Sequence, residues 1–283
     1  MKKMFFCFLY TFLISYLNGS CTEFHYPGDR DQKETIPFPA PNLPDNNVVA
    51  HRGVWKETGF PDNSLAALRA AISLGCFASE CDIHITSDNR VVVFHDDTFR
   101  GMILKDTDYE ELCAAGTLAN GEKIPLLEEF LDVIMEAGST KLWIDVKSVA
   151  DLSGGTEISV KACQEASRIV HEKKAWNFVE FIAGREEVFV KCISAAKGKW
   201  GCGYMNTRAT PAWFLANGYT WANFTVDVLY HHQELIKSFV DHGVRVSTYN
   251  ADTEEQMKWF LEQKIYAVCT NYPVKMLKIF RGK

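Results

Sequence analysis

The segment from Ala50 to Arg100 sets two histidines, an arginine and several carboxylates where the pattern reads as the ends of β-strands. Residues Phe77 to Thr86 alternate as a strand, with Glu80, Asp82 and His84 on one face and Cys81, Ile83 and Ile85 on the other. A second β-rich run, Val91 to Phe94, follows Ser87-Asp88-Asn89-Arg90, and Asp-Asn tolerates the left-handed backbone of a two-residue hairpin turn. A turn centred between Asp88 and Asn89 sets Asp82 opposite His95, with β-carbons roughly 5 Å apart on one face. Glu80, Asp82 and His95 then share that face, an arrangement that a register slip of one residue would remove. Apolar, β-branched neighbours place the carboxylates in a core rather than on a solvated face. Two like charges ~4 Å apart there cost about 4 kcal/mol even at an effective dielectric near 20, and a cation would resolve the repulsion. With His51 and Arg52 ending an earlier strand, the set suits metal-assisted hydrolysis of a phosphodiester.

These residues fall into ordered motifs: His51-Arg52-Gly53, Pro61-Asp62-Asn63-Ser64, Glu80-Cys81-Asp82, Thr86-Ser87-Asp88-Asn89 and His95-Asp96. IPLLEEFL from Ile124, WIDVK from Trp143, STYN from Ser247 and TNYP from Thr270 continue the series along the chain. Each piece is weak alone, but the ordered set resembles the glycerophosphodiester phosphodiesterase family. Four positions depart from that family's pattern. Asp62 stands for a glutamate, Asp145 for a third carboxylate that is usually glutamate, Ser247 for a tryptophan and Asn271 for an aspartate.

The resemblance implies that Glu80, Asp82 and Asp145 bind one divalent cation, and an all-oxygen set suits Mg²⁺ or Ca²⁺ rather than zinc. It implies two proton-transferring histidines, His51 assigned as base and His95 as acid, and imidazole suits both tasks near neutral pH. Arg52 is the phosphate fork and Lys147 a second positive contact. The attacking group is water or a neighbouring glycerol hydroxyl by way of a cyclic phosphate. Asp62 and Asn63 either cap the following helix or join the site network. His84 shares the carboxylate face but reads as a rim residue. His231, His232 and His242 sit at helix ends, where packing or the helix dipole accounts for them. Trp143, Trp221 and Tyr249 line a substrate slot or fill core.

The elements that must position these groups alternate. Strand candidates are Asn47 to His51, the run near Asp82, Lys141 to Lys147, Phe178 to Ala183, Trp200 to Met205, Trp221 to Val226, Val244 to Tyr249 and Tyr266 to Thr270. Helical patterns cover Asn63 to Leu74, Glu128 to Ala137, Glu157 to Lys174, Glu186 to Ala196, Pro211 to Ala216, Gln233 to His242 and Thr253 to Glu262. Asp62 or Asn63 is the cap expected for the first helix and Gly75 its stop. This alternation predicts an α/β fold, a single (β/α)8 TIM-type barrel over residues 46–283, with a short insertion from Asp97 to Lys123 after the second-strand hairpin. Catalytic groups should then gather at the carboxyl ends of the strands, where the motifs lie.

Ahead of the barrel, Lys2 and Lys3 precede an apolar run from Met4 to Leu17, which reads as a secretory signal over residues 1–21. Cys21 after small residues resembles a lipoprotein cleavage site, giving an expected address in the bacterial cell envelope as a membrane-anchored or periplasmic protein; the alternative is ordinary cleavage with Cys21 incidental. Residues 22–45, rich in proline and charge, read as a tether. The net charge of −6 becomes −8 without the two leader lysines, and no basic stripe is present, which disfavours nucleic acid as a partner. Nine cysteines less Cys7 and Cys21 leave seven, an odd number without zinc-finger spacing, so a complete disulfide framework is not expected. A Cys76–Cys81 bridge is left open.

The expected activity is metal-dependent hydrolysis of a small-molecule glycerophosphodiester to glycerol 3-phosphate and an alcohol. The alternatives are a phospholipase C- or D-like action on intact lipid and a catalytically weak barrel that only binds phosphodiesters.

Overall fold

A computed structural model gives the architecture; it describes residues 40–149, 154–185, 188, 201–204, 210–219 and 221–282. Strand β1 (Val48–Ala50) leads through a tight loop into helix α1 (Leu65–Leu74), and β2 (Ala78–Ile85) turns back on the short β3 (Val91–Val93). The insertion holds the hairpin β4 (Thr98–Phe99) and β5 (Met102–Ile103), a 3-10 turn and helix α2 (Tyr109–Ala115), before α3 (Leu127–Ala137). Then follow β6 (Lys141–Val146), α4 (Gly155–Glu172), β7 (Val179–Ala183), β8 (Gly201–Tyr204), α5 (Pro211–Ala216) and β9 (Trp221–Thr225). The chain finishes with α6 (Val226–His231), α7 (Glu234–Asp241), β10 (Arg245–Tyr249), α8 (Glu254–Glu262), β11 (Ala267–Thr270) and α9 (Pro273–Arg281).

Strands β1, β2 and β6 to β11 pair in parallel around a ring that β1 closes, bonding to β2 on one side and β11 on the other. The expected TIM-type barrel is what the chain forms. The period-two alternation of each strand splits the core in two. Outward residues such as Ile83, Ile144, Phe181, Phe224 and Val268 pack beneath the helices. Inward residues Val49, Ala78, Trp143, Ile182, Trp221 and Cys269 fill the barrel. Each large apolar side chain so buried contributes about 1.5–3 kcal/mol. At the amino-terminal end of the ring, buried Glu180 accepts from Lys141 Nζ (2.8 Å), Trp143 Nε1 (2.8 Å) and Tyr266 Oη (2.7 Å). Arg245 lies over the Tyr266 ring at 4.0 Å and 3.4 Å from the same carboxylate.

The insertion carries its own small core of Val92, Phe99, Leu104, Tyr109 and Leu112. It also reaches back to the barrel, where Glu122 accepts from the backbone N–H groups of Leu65 (2.8 Å) and Ala66 (3.1 Å) at the start of α1. The cap of α1 is Ser64, whose hydroxyl accepts from Ala67 N at 3.1 Å, rather than Asp62 or Asn63. Those two are drawn into the site instead, Asp62 by Arg52 and Asn63 by Asp82. Gly75 ends the helix in the left-handed conformation, as expected.

Two helices escape the sequence pattern. Helix α6 begins directly where β9 ends, so its apolar residues read as a continuation of the strand, and α9 follows the last motif. The candidate helix at 186–196, Val188 apart, lies outside the described residues, as do residues 1–39 with the expected leader and most of the tether. Cys76 and Cys81 are separate buried thiols, which settles the open bridge against pairing, whereas Cys163 is disulfide-bonded. Among the described residues no helix is long and apolar enough to cross a membrane.

Candidate active site

The first strand delivers two groups through a turn that only glycine allows. Arg52 and Gly53 both have left-handed backbones (φ 56° and 77°), and a β-carbon at Gly53 would lie 2.6 Å from the backbone carbon of Ala67. This close approach against α1 turns Arg52 back over the barrel mouth. Its N–H donates to Glu80 Oε2 (2.9 Å), its Nε lies 3.1 Å from Asp82, and its Nη1 donates to Asp62 (3.1 Å). Asn63, another left-handed residue, donates from Nδ2 to Asp82 Oδ2 (2.8 Å) and accepts from Asp82 N (3.1 Å).

Parallel pairing of β2 with β6 places Asp82 level with Asp145 and Glu80 level with Trp143. The inward faces of the two strands therefore juxtapose three carboxylates. Ligand oxygens of Glu80, Asp82 and Asp145 all lie within 4.8 Å of one another. Lys147, one step beyond β6, reaches Asp82 (2.6 Å) and Asp145 (2.8 Å). Although Asp145 is shorter than glutamate, its level position on β6 keeps it within the group.

Electrostatics separates the three acids. Burial pushes the Glu80 carboxyl well up, and the charges of Asp82 and Asp145 push it further. Burial acts on Asp82 in the same direction, but Lys147 and Arg52 outweigh it and hold that carboxyl below its ordinary value. Asp145 is raised, by burial first and with Asp82 adding repulsion, against the pull of Lys147. Lys147 is itself raised because Asp145, Asp82 and Glu80 outweigh its desolvation. Lys147 and Arg52 thus do not fully offset the cost of ionising all three acids together, and the oxygen-only donors of the trio fit a hard divalent cation.

His51 stands beside this group, with Nε2 3.9 Å from Glu80 Oε2 and Nδ1 2.8 Å from Asn271 Oδ1. Burial pulls its pKa down to about 4, with Arg52 and Lys147 adding to the effect against the Asn271 bond and Asp82. The imidazole is accordingly neutral at pH 7. A cavity of about 280 Å³ opens between His51, the carboxylates and the far wall of Trp143, Ile182, Asn223 and Tyr249. That volume is near the lower end of the roughly 300–1,000 Å³ usual for small-ligand pockets.

His95 arrives differently from the expectation. The β2–β3 register pairs Ile83 with Val93 and His84 with Val92, and Phe94 N donates to the Asp82 carbonyl (3.0 Å), so Asp82 faces Phe94 rather than His95. The cause is the turn. Its loop is Ser87-Asp88-Asn89, closed by Thr86 N to the Arg90 carbonyl, with Asn89 left-handed at φ 64°; three residues, not two, shift the register by one. The chain leaves the sheet after β3, and His95 sits half-exposed in an adjoining cleft that shares Lys147 with the main cavity. Its Nδ1 is 2.7 Å from Asp96, and its carbonyl accepts from His84 Nε2 at 3.1 Å.

The Glycerophosphoryl diester phosphodiesterase family model matches residues 51–275, which span every group just described. The chain belongs to this family. A glycerophosphodiester phosphodiesterase of Caldanaerobacter subterraneus is 26% identical over 253 residues, covering 83% of this chain and 97% of the relative. The crystal structure of a glycerophosphodiester phosphodiesterase from Parabacteroides distasonis superposes with a TM-score of 0.77 at 26% identity, over 86% of this chain and 99% of that one. An Oleispira antarctica phosphodiesterase, solved with its product sn-glycerol-3-phosphate, shares the fold with a TM-score of 0.68 at 20% identity, over 83% and 97% of the two chains. This chain is therefore an enzyme, a phosphoric diester hydrolase of the glycerophosphodiester class.

The structure brings His51, Arg52, Asp62, Asn63, Glu80, Asp82, Asp145 and Lys147 into one bonded network, with His95 at its edge. Arg52 and Lys147, expected on phosphate, are paired with Asp62, Asp82 and Asp145, although the guanidinium carries more N–H groups than those pairs use. Trp143 and Tyr249 line the cavity, whereas Trp221 is fully buried and packs against Trp143 at a tilt of 33°, with ring centres 5.3 Å apart. Sequence reasoning missed Asn223, whose amide oxygen accepts from Ser247 (2.8 Å), and Asn250, both on the cavity wall. Their signal was position alone: Asn223 shares the inward alternation of Trp221 on β9, and Asn250 follows the carboxyl end of β10.

Proposed function

We propose that the chain hydrolyses glycerophosphodiesters to glycerol 3-phosphate and an alcohol, using one divalent cation, Mg²⁺ or Ca²⁺, held by Glu80, Asp82 and Asp145. The observation that carries this reading is the carboxylate trio within 4.8 Å, with Glu80 and Asp82 buried and His51 Nε2 3.9 Å from Glu80. When bound, such a cation supplies electrophilic stabilisation of the charge that grows on the phosphoryl oxygens. Arg52 orients the phosphate from the opposite side through its remaining N–H groups, and Asp62 and Asp82 fix the plane of its fork. Lys147 neutralises Asp82 and Asp145 and keeps positive charge at the cavity edge. His51 accepts the proton of the attacking oxygen at Nε2, and His95 gives one to the leaving alkoxide from the adjoining cleft. Trp143 and Ile182 limit water on the far wall.

The test is a panel of glycerophosphocholine, glycerophosphoethanolamine and glycerophosphoinositol with and without chelator. Turnover that stops with chelator and returns on adding Mg²⁺ or Ca²⁺ supports the reading. Binding without turnover on every member would leave only a phosphodiester-binding barrel.

The address follows as a second part of this proposal: an envelope protein anchored through a lipid on Cys21. The apolar leader supports it, and the disulfide at Cys163 accords with an oxidising compartment. Cys21→Ser should move the protein from the membrane fraction to the soluble one; unchanged fractionation would remove the anchor.

A further inference from the structure

Three neighbouring strand ends carry a chain of bonds that begins at His51 and ends on an acid outside the cavity. Asn271 follows β11, Asp252 follows β10, and His51 follows β1, with His51 N donating to the Thr270 carbonyl at 3.0 Å. Asp252 Oδ1 accepts from Asn271 N (2.9 Å) and from the Thr270 hydroxyl (3.2 Å), and its Oδ2 accepts from Asn271 Nδ2 (2.7 Å). An ionised carboxylate only accepts, so the edge of the Asn271 amide that meets Asp252 must be its NH₂ group. The amide oxygen then necessarily faces His51 Nδ1, 2.8 Å away. An oxygen only accepts as well, so Nδ1 must carry the proton and Nε2 the lone pair. Flipping the amide would set its oxygen against the carboxylate and lose both bonds, and Asn271 is buried, with little water to replace them.

We infer that Asp252 is a positioning residue that sets the tautomer of His51 through the fixed amide of Asn271, leaving the Nε2 lone pair aimed at the cavity. It does not line the cavity and acts only through its neighbour. The catalytic consequence rests on the reading of His51 as proton acceptor, but the tautomer itself does not.

The experiment uses the full chain labelled with ¹⁵N-histidine, recording the Nδ1 and Nε2 resonances of His51 at neutral pH alongside kcat and KM. In the parent protein, protonated Nδ1 is expected. Asp252→Asn keeps an oxygen on Asn271 N and the Thr270 hydroxyl, so its NH₂ group meets Asn271 and favours the flipped amide; the proton is expected to move from Nδ1 to Nε2, with kcat reduced on the order of 10-fold or more and KM changed by less than about 2-fold. The exchange Asp252→Asn with Asn271→Asp restores every bond, since the amide now at position 252 would donate to a carboxylate at position 271 that accepts from Nδ1–H on its other oxygen. That double variant should regain the parent tautomer and most of the kcat, which a merely structural role for Asp252 does not predict. Asn271→Ala removes the acceptor directly and should give a mixture of tautomers, which keeps the inference testable if Asp252→Asn does not fold. An unchanged His51 tautomer in Asp252→Asn or Asn271→Ala, or an exchanged pair that fails to regain the parent tautomer, would overturn it. Full activity in His51→Ala would instead remove the histidine from the mechanism while the nitrogen resonances still decide the role of Asp252.

Discussion

His51 and His95 occupy unlike surroundings, and their proposed roles separate on that ground. His51 is partly buried and bonded through Nδ1 to Asn271, which leaves Nε2 as the nitrogen that can take up a proton. His95 is half-exposed with Nδ1 held by Asp96, which leaves its Nε2 open to the cleft to deliver a proton. Removing either imidazole should lower kcat by about 100-fold or more, the usual scale of acid and base contributions. His51→Ala and His95→Ala should meanwhile keep the parental circular dichroism, because neither ring fills the core. Near-normal turnover in one variant would take that histidine out of the reaction. The carboxylates show the opposite economy of space. Glu80, Asp82 and Asp145 are held together against their own repulsion by Arg52 and Lys147, and that enforced proximity suits them to a cation.

At the scale of elements, function depends on how tightly the first loop folds against α1. Gly53 has a left-handed backbone and no room for a β-carbon, so Gly53→Ala must displace Ala67 or open the turn that carries Arg52. A cost of roughly 1–3 kcal/mol is expected, with weaker substrate binding, checked by thermal melting and KM together. A variant that melts and binds like the parent would show that the turn has slack. The β2–β3 hairpin makes a related point. Its three-residue loop decides that Phe94, not His95, meets Asp82, so His95 owes its place to the chain leaving the sheet. The insertion is likewise more than a loop, since Glu122 caps the helix that supports the Arg52 turn.

On the scale of the molecule, the barrel divides labour between its ends. The carboxyl ends of the strands hold the chemistry, and the amino end is closed by Glu180 with Lys141, Tyr266 and Arg245, Trp143 spanning from that carboxylate to the cavity. Glu180→Ala would take the carboxylate away from partly buried Lys141 and Arg245 and from the Trp143 and Tyr266 donors, at a cost of about 3 kcal/mol. The melting temperature should fall on the order of 10 °C, while folded enzyme keeps turnover within about 10-fold of the parent. A larger loss of turnover at unchanged stability would place Glu180 in the active site instead. The period of the strands and the ordered motifs made the barrel, its eight parallel strands and the carboxylate trio legible in the sequence, because inward and outward positions alternate by covalent geometry alone. Helix α6 was hidden because its residues continue the apolar run of β9, and the register of the β2–β3 hairpin because loop length turns on the backbone angle of one residue, Asn89. The residue types capable of the chemistry, and the strands that carry them, were determined by sequence. Which oxygen faces which nitrogen was decided only by the closed ring, since pairing β1 with β11 is what sets His51 against Asn271 and Asp252 from the other end of the chain.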